Sequence, residues 1–238
     1  LDLRIAHTDP GALRDRCQIT TLHPAPPGGT HEDGAVVPTH AWKPLPSTLA
    51  RGLQPGPAVD HRTIVELVTL PDRTAPARFA DLVTVMGDPR AEYVGHYTSP
   101  PKLATTTPNP ANHLFVGVHV DNFDRLDYQA KHHGRRRLCL NLGPGTRHLL
   151  IGTVDIRTIA RTAHRDHQRR YPHTSDLRTY VAEGRPIDVL RITLAPGEGY
   201  IAPTELLPHD GSTADADQAS TAAFWLGNWP TRTLPWLI

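Results

Sequence analysis

The second half of the chain is dominated by short apolar runs of strand length. Residues 114–121 (LFVGVHVD), 136–143 (RRLCLNLG), 147–154 (RHLLIGTV), 187–194 (IDVLRITL), 199–206 (GYIAPTEL) and 220–227 (STAAFWLG) each predict a strand. They are rich in β-branched or aromatic residues and are separated by turns such as GPG and APGEG. Helical spacing interrupts them once. Residues 155–171 begin at a potential Asp155 cap, and residues 175–184 set Leu177, Tyr180 and Val181 on one side before Gly184. The first half differs. Residues 1–60 are broken by proline and glycine (HPAPPGGTHEDG, AWKPLPS, LQPGPAVD), which predicts an arm wrapped over a core built later. IVELVTL (64–70) predicts a strand. Residues 74–88 predict a helix that Thr74 can cap and Gly87 can end, and 98–110 form a second proline-rich loop.

Several short strands with turn signals and one helical excursion predict a mainly β fold with flanking helices, a jelly-roll or cupin-like barrel of the double-stranded β-helix type. The length of 238 residues suits one domain. Residues 1–110 supply the arm and covering elements, and 111–230 the barrel core, with a helical insertion at 155–184. No repeat of solenoid length is visible.

Charge narrows the partners. Twenty-five basic and 24 acidic groups leave a formal charge of +1, too weak a field to gather nucleic acid or an anionic membrane. Aromatic residues make up 6%, few for a base-stacking platform. No apolar run approaches the roughly 20 residues that span a bilayer. The segment LDLRIAHTDP lacks the apolar stretch of a secretory signal, so the expected compartment is the cytoplasm. Cys17 and Cys139 stand far apart and make neither a disulfide framework nor a zinc ribbon. The chain is poor in thiols and has 15 histidines, so any bound metal is expected to be held by N and O.

Four His-x-Asp triplets occur: His7/Asp9, His31/Asp33, His119/Asp121 and His164/Asp166. On a strand, residues i and i+2 point to one face, so an imidazole and a carboxylate can converge on one ion. On a helix they diverge, which counts against His164/Asp166. The first two triplets lie in the irregular arm. Only His119 and Asp121 end a predicted strand. A third ligand is expected from a later strand, and LAPGEGYIAPTELLPHDGST offers His209.

This arrangement resembles the Fe(II)/2-oxoglutarate-dependent oxygenase superfamily, in which a proline-glycine-acid turn precedes the distal His of a His-x-Asp…His triad. The resemblance covers roughly residues 114–227. It implies Fe(II) on His119, Asp121 and His209, with the open coordination positions taken by 2-oxoglutarate and O₂. It further implies oxidative decarboxylation to succinate and CO₂ coupled to hydrogen abstraction from a substrate. Asp121 stands where the halogenating branch has a small residue, so hydroxylation, desaturation or cyclisation is implied instead. Many members carry a carboxylate-binding Arg shortly after the distal His, and here none precedes Arg232. Other branches use an earlier strand. Arg147 is then the first candidate, followed by Arg137 and Arg191, each in a predicted strand where bidentate pairing is rigid. Without such a clamp, Fe(II) and O₂ would serve alone.

The expected substrate is a small molecule, such as an amino acid or a secondary-metabolite intermediate, because no separate recognition domain is visible. A metal-dependent cupin-type isomerase or hydrolase, and a non-catalytic cupin-like binding module, are the alternatives. Thr204 and Glu205 precede His209 on a predicted strand that could line the mouth. Glu205 could hold a substrate ammonium, although the ordinary expectation is an exposed side chain. His164 and His167, surrounded by arginines, predict a solvated helix face. Asn122, Asp124 and Asp127 are candidate braces for the triplet. Trp225, Trp229 and Trp236 predict that the C-terminus packs onto the barrel.

Overall fold

The computed structural model describes residues 2–69 and 88–238. The helix expected within 74–88 therefore lies outside the described residues. The first strands are β1 (Arg4–Ala6), β2 (Cys17–Pro24), β3 (His31–Pro38), β4 (Lys43–Pro44), β5 (Ile64–Thr69) and β6 (Glu92–Ser99). They continue as β7 (Phe115–Gly117), β8 (Arg136–Pro144), β9 (Arg147–Gly152) and β10 (Asp188–Leu194), then β11 (Glu198–Ala202), β12 (His209–Ser212) and β13 (Ser220–Gly227). Helices α1 (Pro10–Arg16), α2 (Ser47–Gly52), α3 (Ile156–Ala163) and α4 (Thr174–Ala182) complete a mainly β protein.

The strands form two sheets. One runs β1-β5-β11-β8-β13-β6, the other β12-β9-β10-β2-β3-β7 with β4 on β2. A single antiparallel bridge between His119 and His209 joins the continuation of β7 to β12. The two ends of the second sheet thus meet, and it is nearly barrel-shaped, consistent with the expected barrel or jelly roll.

Side-chain alternation sorts the core into three layers. Between the sheets lie Leu67, Cys139, Leu149, Ile151, Leu190, Ile192 and Tyr200. Outside the second sheet, Val118, Val120, Leu150 and Val189 pack on Ile156, Ile159, Leu177 and Val181 of α3 and α4. Outside the first, Leu138, Leu140, Ile201 and Trp225 are covered by Trp229 and Leu234 of the C-terminal tail. Leu237 donates its N–H to Leu67 O, and Trp236 Nε1 donates to the buried Glu66 carboxylate at 2.7 Å. The expected packing of the C-terminus is what is found.

Several element limits differ from the sequence expectation. Residues 17–24 and 31–38 of the supposed arm are strands built into the second sheet. Their prolines sit at strand ends, where no ladder N–H is needed. The strand expected over 199–206 stops at Ala202, before Pro203, and 203–207 form a turn. The helix begun by Asp155 ends at Ala163 rather than 171, with a separate 3₁₀ turn at His167–Arg169. Its cap is as expected, the Asp155 carboxylate accepting from Thr158 N at 2.6 Å. The next helix starts at Thr174 and is capped by His173, whose ring accepts from Ser175 N while Asp176 returns to His173 N. Among the described residues, no helix is long and apolar enough to cross a membrane.

Gly117 permits the close approach of β7 to β3. Its φ is +77°, and a Cβ there would lie 2.5 Å from Val36 O. Gly117→Ala is expected to cost about 1–3 kcal/mol for the left-handed backbone, plus whatever β3 loses by moving. Denaturant unfolding should show this as a lower midpoint with an unchanged slope.

Candidate metal centre

The path of residues 117–121 through the barrel wall builds the centre. The strand expected over 114–121 stops at Gly117, with His119 on an isolated bridge and Asp121 beyond it. Val118 and Val120 still pack toward the helices, and His119 and Asp121 face the other way, into the interior. On β12, His209 is in register with Ile151, an inter-sheet core residue, and therefore also points inward. His119 N donates to His209 O at 3.0 Å, and His209 N donates to His119 O at 2.7 Å. This reciprocal pair sets the two residues directly opposite, with side chains on one face and ring centroids 4.8 Å apart. The Thr174 hydroxyl bonds both backbone groups of Val120 at 3.2 Å, lashing the same segment to α4.

His119, Asp121 and His209 come together as expected. They are 8%, 7% and 2% exposed, and one ligand atom from each lies within 4.8 Å of the others. Asp121 Oδ1 is 3.9 Å from His119 Nε2, and Oδ2 is 3.7 Å from His209 Nε2. Each Nδ1 meets the carbonyl oxygen two residues back, Gly117 O at 2.8 Å and Leu207 O at 3.2 Å. A carbonyl can only accept, so each Nδ1 carries a proton, and the neutral ring then presents its Nε2 lone pair to a metal. His209 Nε2 is buried without a hydrogen-bond partner, as is Asp121 Oδ2, although the latter faces Arg137 Nη2 at 2.8 Å. Buried polar atoms left in this state need a partner, and a cation among the three would serve all of them. The residues fit a metal ion.

Electrostatics keep the donors ready. Burial pushes the His209 imidazole down to about 3, which leaves it neutral near pH 7. For Asp121 burial acts upward, but Arg137 and then the two imidazoles outweigh it and hold the carboxyl below its usual range.

The three arginine candidates separate clearly. Arg147 shares the inward face with Leu149 and Ile151, is 3% exposed, and its Nη1 has no hydrogen-bond partner. No carboxylate among the described residues pairs with it. Its guanidinium lies over Gly211, where a Cβ would come within 2.5 Å of Nη2. Gly211 is on the same face as His209, and its missing side chain makes room there for the Arg147 guanidinium. Arg137 also points inward but is engaged with Asp121, between the rings of Phe123 and Phe224. Arg191 is on the outer face, held by Asp215 at 2.6 Å, by Gln18 and by the Trp42 ring. It is therefore not available to a ligand in the barrel.

Other expectations need correction. Thr204 and Glu205 lie in the turn after β11, not on a strand, and are 0% and 1% exposed. Glu205 accepts from Lys131 Nζ at 2.9 Å, so its cation comes from the chain itself. His164 and His167 are part-buried rather than solvated. His164 Nε2 meets Asp176 Oδ1 at 2.8 Å, and His167 packs edge-on against Tyr128. Of the candidate braces, Asn122 contacts Lys131 Nζ at 3.4 Å, Asp124 pairs with Arg135, and Asp127 caps Ala130 N. None touches the triad's imidazoles.

Two further groups carry no local motif. Asp210, on the opposite face of β12 from His209, is fully enclosed by Thr106 N, the Thr107 hydroxyl and Gly211 N, with Oδ2 3.9 Å from His119 Nδ1. Its acid neighbourhood with His209 was visible as His-Asp, but nothing local shows that the 98–110 loop covers that face. Lys131 is fully buried and reaches Glu205, Asn122 and, at 3.5 Å, Asp121 O. A lysine in a basic turn gives no sign of this, because Glu205 is remote in sequence.

Neither a protein-family model nor a curated protein matches this chain. The centre stands on its geometry.

Removing Lys131 leaves the Glu205 carboxylate buried without a cation. Lys131→Met is expected to destabilise the fold by about 3–5 kcal/mol, and Lys131→Met with Glu205→Leu to recover much of that. A double-mutant cycle in denaturant measures it. Near-additive losses would show that the two side chains act independently.

Proposed function

We propose that this protein is a mononuclear non-haem Fe(II) oxygenase on a double-stranded β-helix, using 2-oxoglutarate and O₂ to hydroxylate, desaturate or cyclise a small molecule. The observation that carries the reading is the inward-facing His119, Asp121 and His209, with both imidazole protons locked on Nδ1. Two imidazoles and one carboxylate on one face match the facial triad of such enzymes and leave positions open for cosubstrate and O₂. The strand orders β6-β13-β8-β11 and β12-β9-β10 within the two sheets support the double-stranded β-helix, as does the bridge between His119, just past β7, and His209 of β12.

Bound Fe(II) supplies the one-electron chemistry with O₂ that no side chain can perform. The chain's own residues prepare for it. His119 and His209 offer lone pairs at Nε2, and Asp121 contributes a charge that Arg137 offsets. Arg147 is the cation for the far carboxylate of 2-oxoglutarate, because it is buried, unpaired and on the triad's side of the sheet. The buried leucines and isoleucines packed between the sheets exclude water from that side of the centre.

Anaerobic addition of Fe(II) and then 2-oxoglutarate tests the proposal. The two together should give a visible charge-transfer band that His119→Ala, Asp121→Ala and His209→Ala each abolish. Arg147→Ala should weaken 2-oxoglutarate binding by about 10- to 100-fold, the loss of a charge-assisted pair. A normal band in the ligand variants contradicts the triad, and unchanged affinity in Arg147→Ala contradicts the clamp. Iron binding without the band would instead favour a metal-dependent isomerase or hydrolase, and failure to bind iron a cupin-like binding module.

A further inference from the structure

A cleft of about 450 Å³ opens onto His119 and Asp121. Its far wall is built from three separate segments: Glu32 of β3, Asn109 of the 98–110 loop, and Arg178 of α4. Glu32 Oε2 accepts from Arg178 Nη2 at 2.5 Å, and Oε1 accepts from Asn109 Nδ2 at 2.5 Å. Those bonds, Arg178 first and Asn109 next, hold the Glu32 carboxyl below its usual range, so it is ionised at neutral pH. Arg178 also donates from Nη2 to Val116 O at 3.1 Å, which ties the pair to the strand that leads to His119. Both of its hydrogen bonds leave from Nη2, and its Nε has no partner.

The wall thus presents one fixed anion beside one fixed cation, each with hydrogen-bonding capacity left over. A carboxylate has about four lone-pair sites and a guanidinium five N–H donors, and only a few of these are used. Two adjacent, opposite, immobilised charges are complementary to a ligand carrying its own adjacent, opposite charges. The cleft adds no further net charge at that wall, since burial holds His173 neutral at pH 7. At its lip Phe123 is 47% exposed and offers an apolar surface for a side chain. The volume suits a ligand of amino-acid size.

We propose that Glu32 and Arg178 are the polar anchor for a zwitterionic, α-amino-acid-like substrate. The ammonium lies on Glu32, the carboxylate takes the free donors of Arg178, and the side chain runs past Phe123 toward His119 and Asp121. The oxidation of that substrate rests on the oxygenase reading; its binding does not.

The test is calorimetric binding of the twenty common L-amino acids to the full chain, with the amide and N-acetyl derivative of each one that binds. At least one amino acid is expected to bind at millimolar concentration or below. Amidation and N-acetylation should each weaken it by about 10-fold or more, and Arg178→Gln and Glu32→Gln by about 10- to 100-fold. No binding across the panel overturns the proposal, as does binding indifferent to both derivatives. Should a variant fail to fold, the derivative comparison on the unaltered chain decides alone. Amino-acid binding without the Fe(II)/2-oxoglutarate band leaves the anchor standing and removes the oxygenase. The band without amino-acid binding does the reverse.

Discussion

The two backbone hydrogen bonds exchanged by His119 and His209 are the constraint on which the rest of this protein depends. They close the second sheet by joining its first and last strands, so one pair of residues completes the barrel and aligns the two imidazoles. Opposed residues of an antiparallel pair have no choice of face. Once Val118 and Val120 are committed to the helices and His209 shares its side with Ile151, both rings must point inward. Asp121 follows by the period of two. The centre is therefore set by the same alternation that builds the core.

Enclosing so much charge requires internal balance. Asp121 is offset by Arg137, Glu205 by Lys131, and Glu66 by Arg136. Each pair links segments remote in sequence, and each carries hydrogen bonds beyond the ion pair or aromatic packing around it. Arg136, for example, also donates to Ile64 O and Ile201 O. Among the described residues, inward polar atoms of the triad and of Arg147 are still left without a hydrogen-bond partner, His209 Nε2 and Arg147 Nη1 among them. Unsatisfied interior polarity is costly in a fold. Its concentration on one side of one sheet is the physical reason to read the barrel as a binding site rather than as a packed core.

Much of the centre was legible in the sequence because it obeys local rules. A His-x-Asp pair converges when its backbone is extended, and the apolar run from Leu114 located that segment, although the strand itself stops at Gly117 and the triplet continues it only through the His119 bridge. His209 was legible through the turn and strand before it. The barrel strands from β8 onward were legible for the same reason, apart from the overrun past Pro203 and the short β12, whose four residues His209–Ser212 carry too little apolar pattern to announce a strand. Less was legible where proline obscured the pattern, as in β2 and β3, whose pairing on β10 and β7 supplies the alternation's missing support. Non-local electrostatics left no trace. Nothing near Lys131 announces Glu205, and nothing near Glu32, itself inside a discarded triplet, announces Arg178 on a helix far along the chain. Such contacts are made by the topology, after the strands have chosen their neighbours.

The most direct test of the central claim is anaerobic crystallography of the Fe(II)-loaded protein, with anomalous scattering measured at the iron edge. One peak per chain is predicted, bonded to His119 Nε2, His209 Nε2 and an Asp121 carboxylate oxygen, with both Nδ1 atoms still on their carbonyls. A peak elsewhere, or iron held by fewer than these three, would contradict the assignment of the barrel interior as a metal centre.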